Sequence, residues 1–139
     1  MELMMTKTAL NTQSLEIKIN YIAQLLDKLT NDYYNTKQER KEIASQSSIT
    51  DEEFSFLEEI ELLTVNIRGY ASQIQATAKI ENGQEAIGQL QAMNVFDIPV
   101  IAQFYFNNND NYKQMKVYIR TLDYLRLVII EFLLNYDPS

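Results

Sequence analysis

The sequence predicts an all-α fold, a single-domain helical bundle, and three observations carry that expectation. Only three Gly and two Pro occur in 139 residues, whereas sheet proteins punctuate their strands with such residues. Apolar residues make up 46% of the chain, with nine Tyr and six Phe, enough for a core that buries roughly two-thirds of the unfolded surface. Along three long stretches the apolar positions recur every third or fourth residue, the period of one helix face.

The first stretch runs through Leu15, Ile19, Ile22, Leu26, Leu29 and Tyr33. It is an unbroken seam on a helix expected over about 12–46, with residues 1–10 as a flexible tail. Past Tyr34 the pattern turns polar. Lys37, Arg40 and Lys41 would complement the negative end of the helix dipole.

The second helix is expected over 51–80. Thr50-Asp51-Glu52-Glu53 reads as a capping box, with Ile49 and Phe54 as a hydrophobic staple. Its seam follows through Leu57, Ile60, Thr64, Ile67, Ala71, Ile74 and Ala78, flanked by Phe56, Leu63 and Tyr70. Asn82-Gly83 would end it. Two seams of similar length joined by a short connection predict an antiparallel hairpin. Gly69, costly in a helix interior, suggests a close approach of the two helices.

Residues 85–106 read as a short, broken helical segment. Ile87, Leu90, Met93 and Phe96 fit one turn-wise face, and Asp97-Ile98-Pro99 interrupts it, because the residue before a proline avoids the helical region. The stretch after Pro99 fits either a helix or a strand. Helix is the expectation, since a lone strand leaves its backbone unpaired. A turn over 107–111 follows, with Asn109 or Asp110 as the cap of the last helix. That helix, 112–136, carries Met115, Tyr118, Leu122, Leu125, Ile129, Phe132 and Tyr136 on one face. Its Leu127–Leu134 half is apolar nearly all round, which places it at a bundle centre or an interface.

Charge is unevenly distributed. Glu42, Asp51, Glu52, Glu53, Glu58, Glu59 and Glu61 occur with no Lys or Arg between positions 42 and 67, and the chain's net charge is −7. The remaining residues hold as many acids as bases, so the acidity is local. Local charge steers partners. Glu52, Glu58, Glu59 and Glu61 are therefore the candidate partner-binding face, unless Lys37, Arg40 and Lys41 neutralise it within the hairpin. A second candidate surface is basic: Lys113, Lys116, Arg120 and Arg126, interleaved with Tyr112 and Tyr124. Bases beside aromatics can pair with phosphates and stack on nucleobases.

Missing residue types narrow the chemistry. The chain has no Cys and no His, which removes Ser-His-Asp and Cys-His nucleophilic sites, thiolate zinc sites and the usual general base. No enzymatic activity, cofactor or metal is expected. Asn107–Asn111 lacks the Gly and the final Glu of an EF-hand loop. Residues Met1–Leu10 do not resemble a signal peptide, and no apolar run is long enough for a membrane span. A cytoplasmic prokaryotic protein is the expectation.

Leu63-Thr64 with Ile67-Arg68, and Tyr118-Ile119-Arg120-Thr121-Leu122-Asp123, resemble the small all-helical subunit of type III CRISPR effector complexes. The resemblance implies a subunit that lines guide and target RNA, here through the C-terminal helix and only as part of a larger assembly. The acidic hairpin departs from that pattern. Composition and missing residue types favour a non-enzymatic protein-interaction module, a small acidic subunit or adaptor. Its partner is expected to be another protein or a second copy, met through the apolar C-terminal helix. An inhibitor or immunity-type protein, blocking a basic target with its acidic face, is a further alternative.

Overall fold

The computed structural model describes residues 2–45, 51–78, 80–107 and 110–135, with the side chains of 2–14 and 51–55 outside that description. Within it lie six α-helices and no strand: α1 (Glu2–Asn35), α2 (Lys37–Ser45), α3 (Asp51–Thr77), α4 (Gly83–Ala92), α5 (Pro99–Asn107) and α6 (Lys113–Asn135). A single 3-10 turn, Val95–Asp97, joins α4 to α5. The stretch after Pro99 is thus helical. The fixed proline φ and the missing N–H suit a first helical position.

Four details differ from the sequence expectation. The first helix is interrupted at Thr36, whose backbone N–H and hydroxyl both donate to the Tyr33 carbonyl, at 3.1 and 2.6 Å. A threonine that bonds back to the preceding turn bends a helix. Residues 2–10, expected as a tail, continue α1 as helical backbone; Glu, Leu, Met, Lys and Ala all favour that state, and no Gly or Pro interrupts them. The third detail is where α3 stops. It ends at Thr77 because Ala78 turns left-handed, φ 63°, while its N–H still reaches the Ile74 carbonyl at 2.8 Å. Asn82, also left-handed at φ 56°, starts α4 rather than ending α3. Finally, Gly69 faces open space, with no atom within 4 Å of where a Cβ would sit. No close helix approach requires it.

The seams are buried as their spacing dictates. Ile22 and Leu29 on α1, Ile60, Ile67, Ala71 and Ile74 on α3, and Met115, Tyr118, Leu122, Leu125, Ile129 and Phe132 on α6 belong to one contiguous core. Cross-helix contacts give the directions. Tyr21 meets Tyr124, Tyr33 meets Tyr118, and Glu39 meets Met115, so α1 and α2 run antiparallel to α6. Thr64 meets Tyr118, while Phe56 stacks on Phe104 and Phe104 on Tyr112, so α3 runs parallel to α6 and antiparallel to α1. The expected hairpin is present, and α6 packs against both of its arms. The capping box and staple at residues 49–54, and the cap expected from Asn109, lie outside the described residues and side chains.

Candidate functional site

On α3 the spacing that buries Ile60, Leu63 and Ile67 turns a second set of residues outward. Glu58 and Glu61 are exposed, and Glu59 is half-buried. One turn further on, Leu62 and Val65 are 60% and 64% exposed. Spacings of three and four residues link Glu58 to Glu61 and Leu62, and both of these to Val65, so the four form one contiguous patch. The side chain of Glu52 lies outside the description.

The three bases expected to neutralise this patch form no ion pair with it. Arg40 donates from Nε to the Thr36 hydroxyl at 2.9 Å, with its guanidinium 4.0 Å over the Tyr33 ring. Lys37 and Lys41 are exposed. Among the described residues the ion pairs are Lys28–Asp32 at 2.7 Å and Arg126–Asp123 at 3.0 Å, and neither involves an acid of α3. The patch therefore keeps its field. At a solvated surface that field reaches about 10 Å in moderate salt.

The basic surface of α6 is partly dismantled by the fold. Lys113 and Arg120 are exposed, and Lys116 lies 6.0 Å over the Tyr105 ring. Arg126, however, is only 4% exposed. Its Nε pairs with Asp123, and one terminal nitrogen donates to the Leu90 carbonyl at 3.0 Å. That carbonyl belongs to the last turn of α4, where a cation complements the helix dipole. The guanidinium thus serves the packing of α4 on α6 and is unavailable to a phosphate. Tyr124 is exposed, with its hydroxyl 2.7 Å from that of Tyr21.

Two polar side chains that join helices, Glu39 and Asp32, escape any reading by spacing, and a third, on the expected seam of the last helix, makes a hydrogen bond that spacing does not reveal. Glu39 accepts from the backbone N–H groups of Gln114 and Met115 at 3.0 and 2.8 Å. An acid on α2 thus caps the N-terminus of α6, the role the sequence assigns to Asp110 or Asn109. A cap of this kind stabilises by about 1 kcal/mol. Buried Asp32 accepts at Oδ2 from both Lys28 and Thr121, each at 2.7 Å. The signal for Glu39 and Asp32 is faint: each is a single acid in a stretch whose pattern fits solvated helix.

Tyr118 is the third. It is buried between α3 and α1, bonded to Thr64 and edge-on to Tyr33. Thr64 gives its own proton to the Ile60 carbonyl at 2.7 Å, so the Tyr118 hydroxyl is the donor in their bond. Burial pushes its pKa up to about 12; the Thr64 hydroxyl, once turned to donate to the phenolate, opposes part of that rise. Among the described residues, no cluster of three or more carboxylates stands where it would hold a metal ion, and no helix is long and apolar enough to cross a membrane.

No protein-family model, curated protein or solved structure matches the chain.

Proposed function

We propose that this protein is a non-enzymatic protein-interaction module, a small subunit or adaptor of a larger prokaryotic assembly. The outer face of α3 is its docking surface for a basic partner. One observation carries this: Glu58 and Glu61 have no ion partner among the described residues and stand beside exposed Leu62 and Val65. Acids beside apolar anchors suit a partner segment that presents Lys or Arg around an aliphatic or aromatic core. The charges raise the association rate and select the partner, while the apolar pair supplies contact area. An inhibitor of a basic target would use the same face in the same way.

The test is affinity capture from the native host with wild type and with the charge reversals Glu58→Lys and Glu61→Lys combined. Proteins retained by wild type and lost with the reversals are the expected result. An identical set of captured proteins removes α3 from the reading. RNA in the wild-type eluate that disappears after Lys113, Lys116 and Arg120 become Ala would favour the RNA-contacting alternative, which the buried Arg126 already weakens.

A further inference from the structure

The surface of α6 that faces away from the core carries a pattern of its own. Val117, Arg120, Tyr124, Leu127, Glu131 and Leu134 follow one another at alternating spacings of three and four residues, so they form one stripe about 100° wide along the helix. All are exposed except half-buried Val117. Tyr124 and Leu127 are 47% and 48% exposed and sit in the middle. Arg120 and Glu131 stand about three turns apart at either side of them, and neither has an ion partner among the described residues.

We propose that α6 pairs antiparallel with α6 of a second copy of the chain, about a two-fold axis passing beside Leu125 and Arg126. The order of residues along the stripe carries this assignment. When the stripe is laid antiparallel on itself about that axis, Val117 falls opposite Leu134, Arg120 opposite Glu131, and Tyr124 opposite Leu127. Each pairing occurs twice, as an isologous interface requires. Apolar meets apolar and base meets acid at every step, with no like charges opposed. A docking surface for a different partner has no reason to be complementary to itself.

Two further features support the second copy. Tyr124 is held by its hydroxyl contact and edge-on ring packing with Tyr21, so a central anchor of the interface is ordered before pairing. Ile17 lies one turn before Tyr21 on α1 and is exposed, which widens the apolar surface beyond α6. The chain's net negative charge opposes self-association in general, but its unbalanced acids lie between positions 42 and 67. The segment that pairs is not the segment that repels. This inference goes beyond the α3 docking face and does not depend on it.

The experiment is sedimentation velocity on the full chain over a concentration series, with helicity checked by circular dichroism. Wild type dimerises. Arg120→Glu alone, or Glu131→Arg alone, opposes like charges twice per dimer and weakens it by at least about tenfold. Mixing the two single variants restores a dimer. In the mixed pair the introduced acid at position 120 faces the introduced base at position 131, while the native Glu131 and Arg120 face each other on the opposite side. The doubly exchanged chain also dimerises. A misfolded or merely destabilised variant is not cured by mixing. A wild type that stays monomeric at every concentration overturns the proposal, as does a dimer indifferent to both reversals or a mixture that stays monomeric. Each of these outcomes leaves the α3 capture experiment unaffected, so failure of the two readings can be told apart.

Discussion

Tyr118 shows how one hydroxyl can tie a helical core to solution pH. Its phenol holds its proton more tightly folded than unfolded, because the buried anion has no water around it. With a folded pKa of about 12 against an ordinary value of 10.0, its contribution is intact below about pH 10. It is lost as pH climbs through about 12, on the order of 2 kcal/mol in all. Tyr21 and Tyr70 are shifted the same way, Tyr21 chiefly by its bond to Tyr124 and Tyr70 chiefly by burial, so both steepen the alkaline limb. Denaturant unfolding from about pH 9 to about pH 12 should show stability falling with pH. Tyr118→Phe should flatten that fall while costing about 1 kcal/mol or less at neutral pH. An unchanged slope in the variant would mean that other groups carry the alkaline sensitivity. The residue scale is also where the sequence is least legible. The Asp32–Thr121 bond joins residues 89 positions apart, and no periodicity marks a polar pair whose meeting depends on how two helices dock.

At the scale of the element, apolar spacing carries most of the information. The seams of α1, α3 and α6 are buried where their three-and-four pattern puts them, since that pattern needs only the helical period and a core. Boundaries are harder, because they rest on single hydrogen bonds. Thr36 breaks one long helix into two by bonding backward, and a polar residue in a polar stretch gives no warning of it. Gly69 illustrates the opposite failure, a suggestive residue with an empty neighbourhood. In the interior of α3 it loses conformational freedom and returns no packing, so Gly69→Ala should stabilise by about 0.5–1 kcal/mol. Thermal unfolding would read this as a Tm raised by a few degrees. A destabilised variant would reveal that something must approach that face of α3 closely.

Across the whole molecule α6 is the shared axis, touching α1, α2, α3 and α4. Leu122 sits wholly buried on it, so Leu122→Ala should cost about 2–5 kcal/mol, a large share of the total stability of a small domain. Leu134→Ser on the outer stripe should leave monomer stability within about 0.5 kcal/mol, which equilibrium unfolding at low protein concentration would test. The two substitutions separate the inward and outward faces of the same helix. In the sequence the apolar run Leu127–Leu134 reads as a single surplus. Packing divides it: Ile129, Ile130, Phe132 and Leu133 serve the core, and Leu127 and Leu134 remain outside. The charge window is divided as well. Glu58 and Glu61 keep their field, because Lys37 and Lys41 form no ion pair with them.

The carboxylate of Glu39 on the first N–H groups of α6 has a temporal meaning. The start of the last helix is capped by a residue made some 75 positions earlier, so the full stability of α6 is reached only once α2 has docked beside it. During synthesis α1, α3 and α4 emerge before α6, so the parts of their apolar seams that α6 covers stay open until it leaves the ribosome. The chain must cross that interval with its hydrophobic faces exposed. The unbalanced acids between positions 42 and 67, Glu58 and Glu61 among them, carry a local negative charge that opposes association of unfinished chains by mutual repulsion.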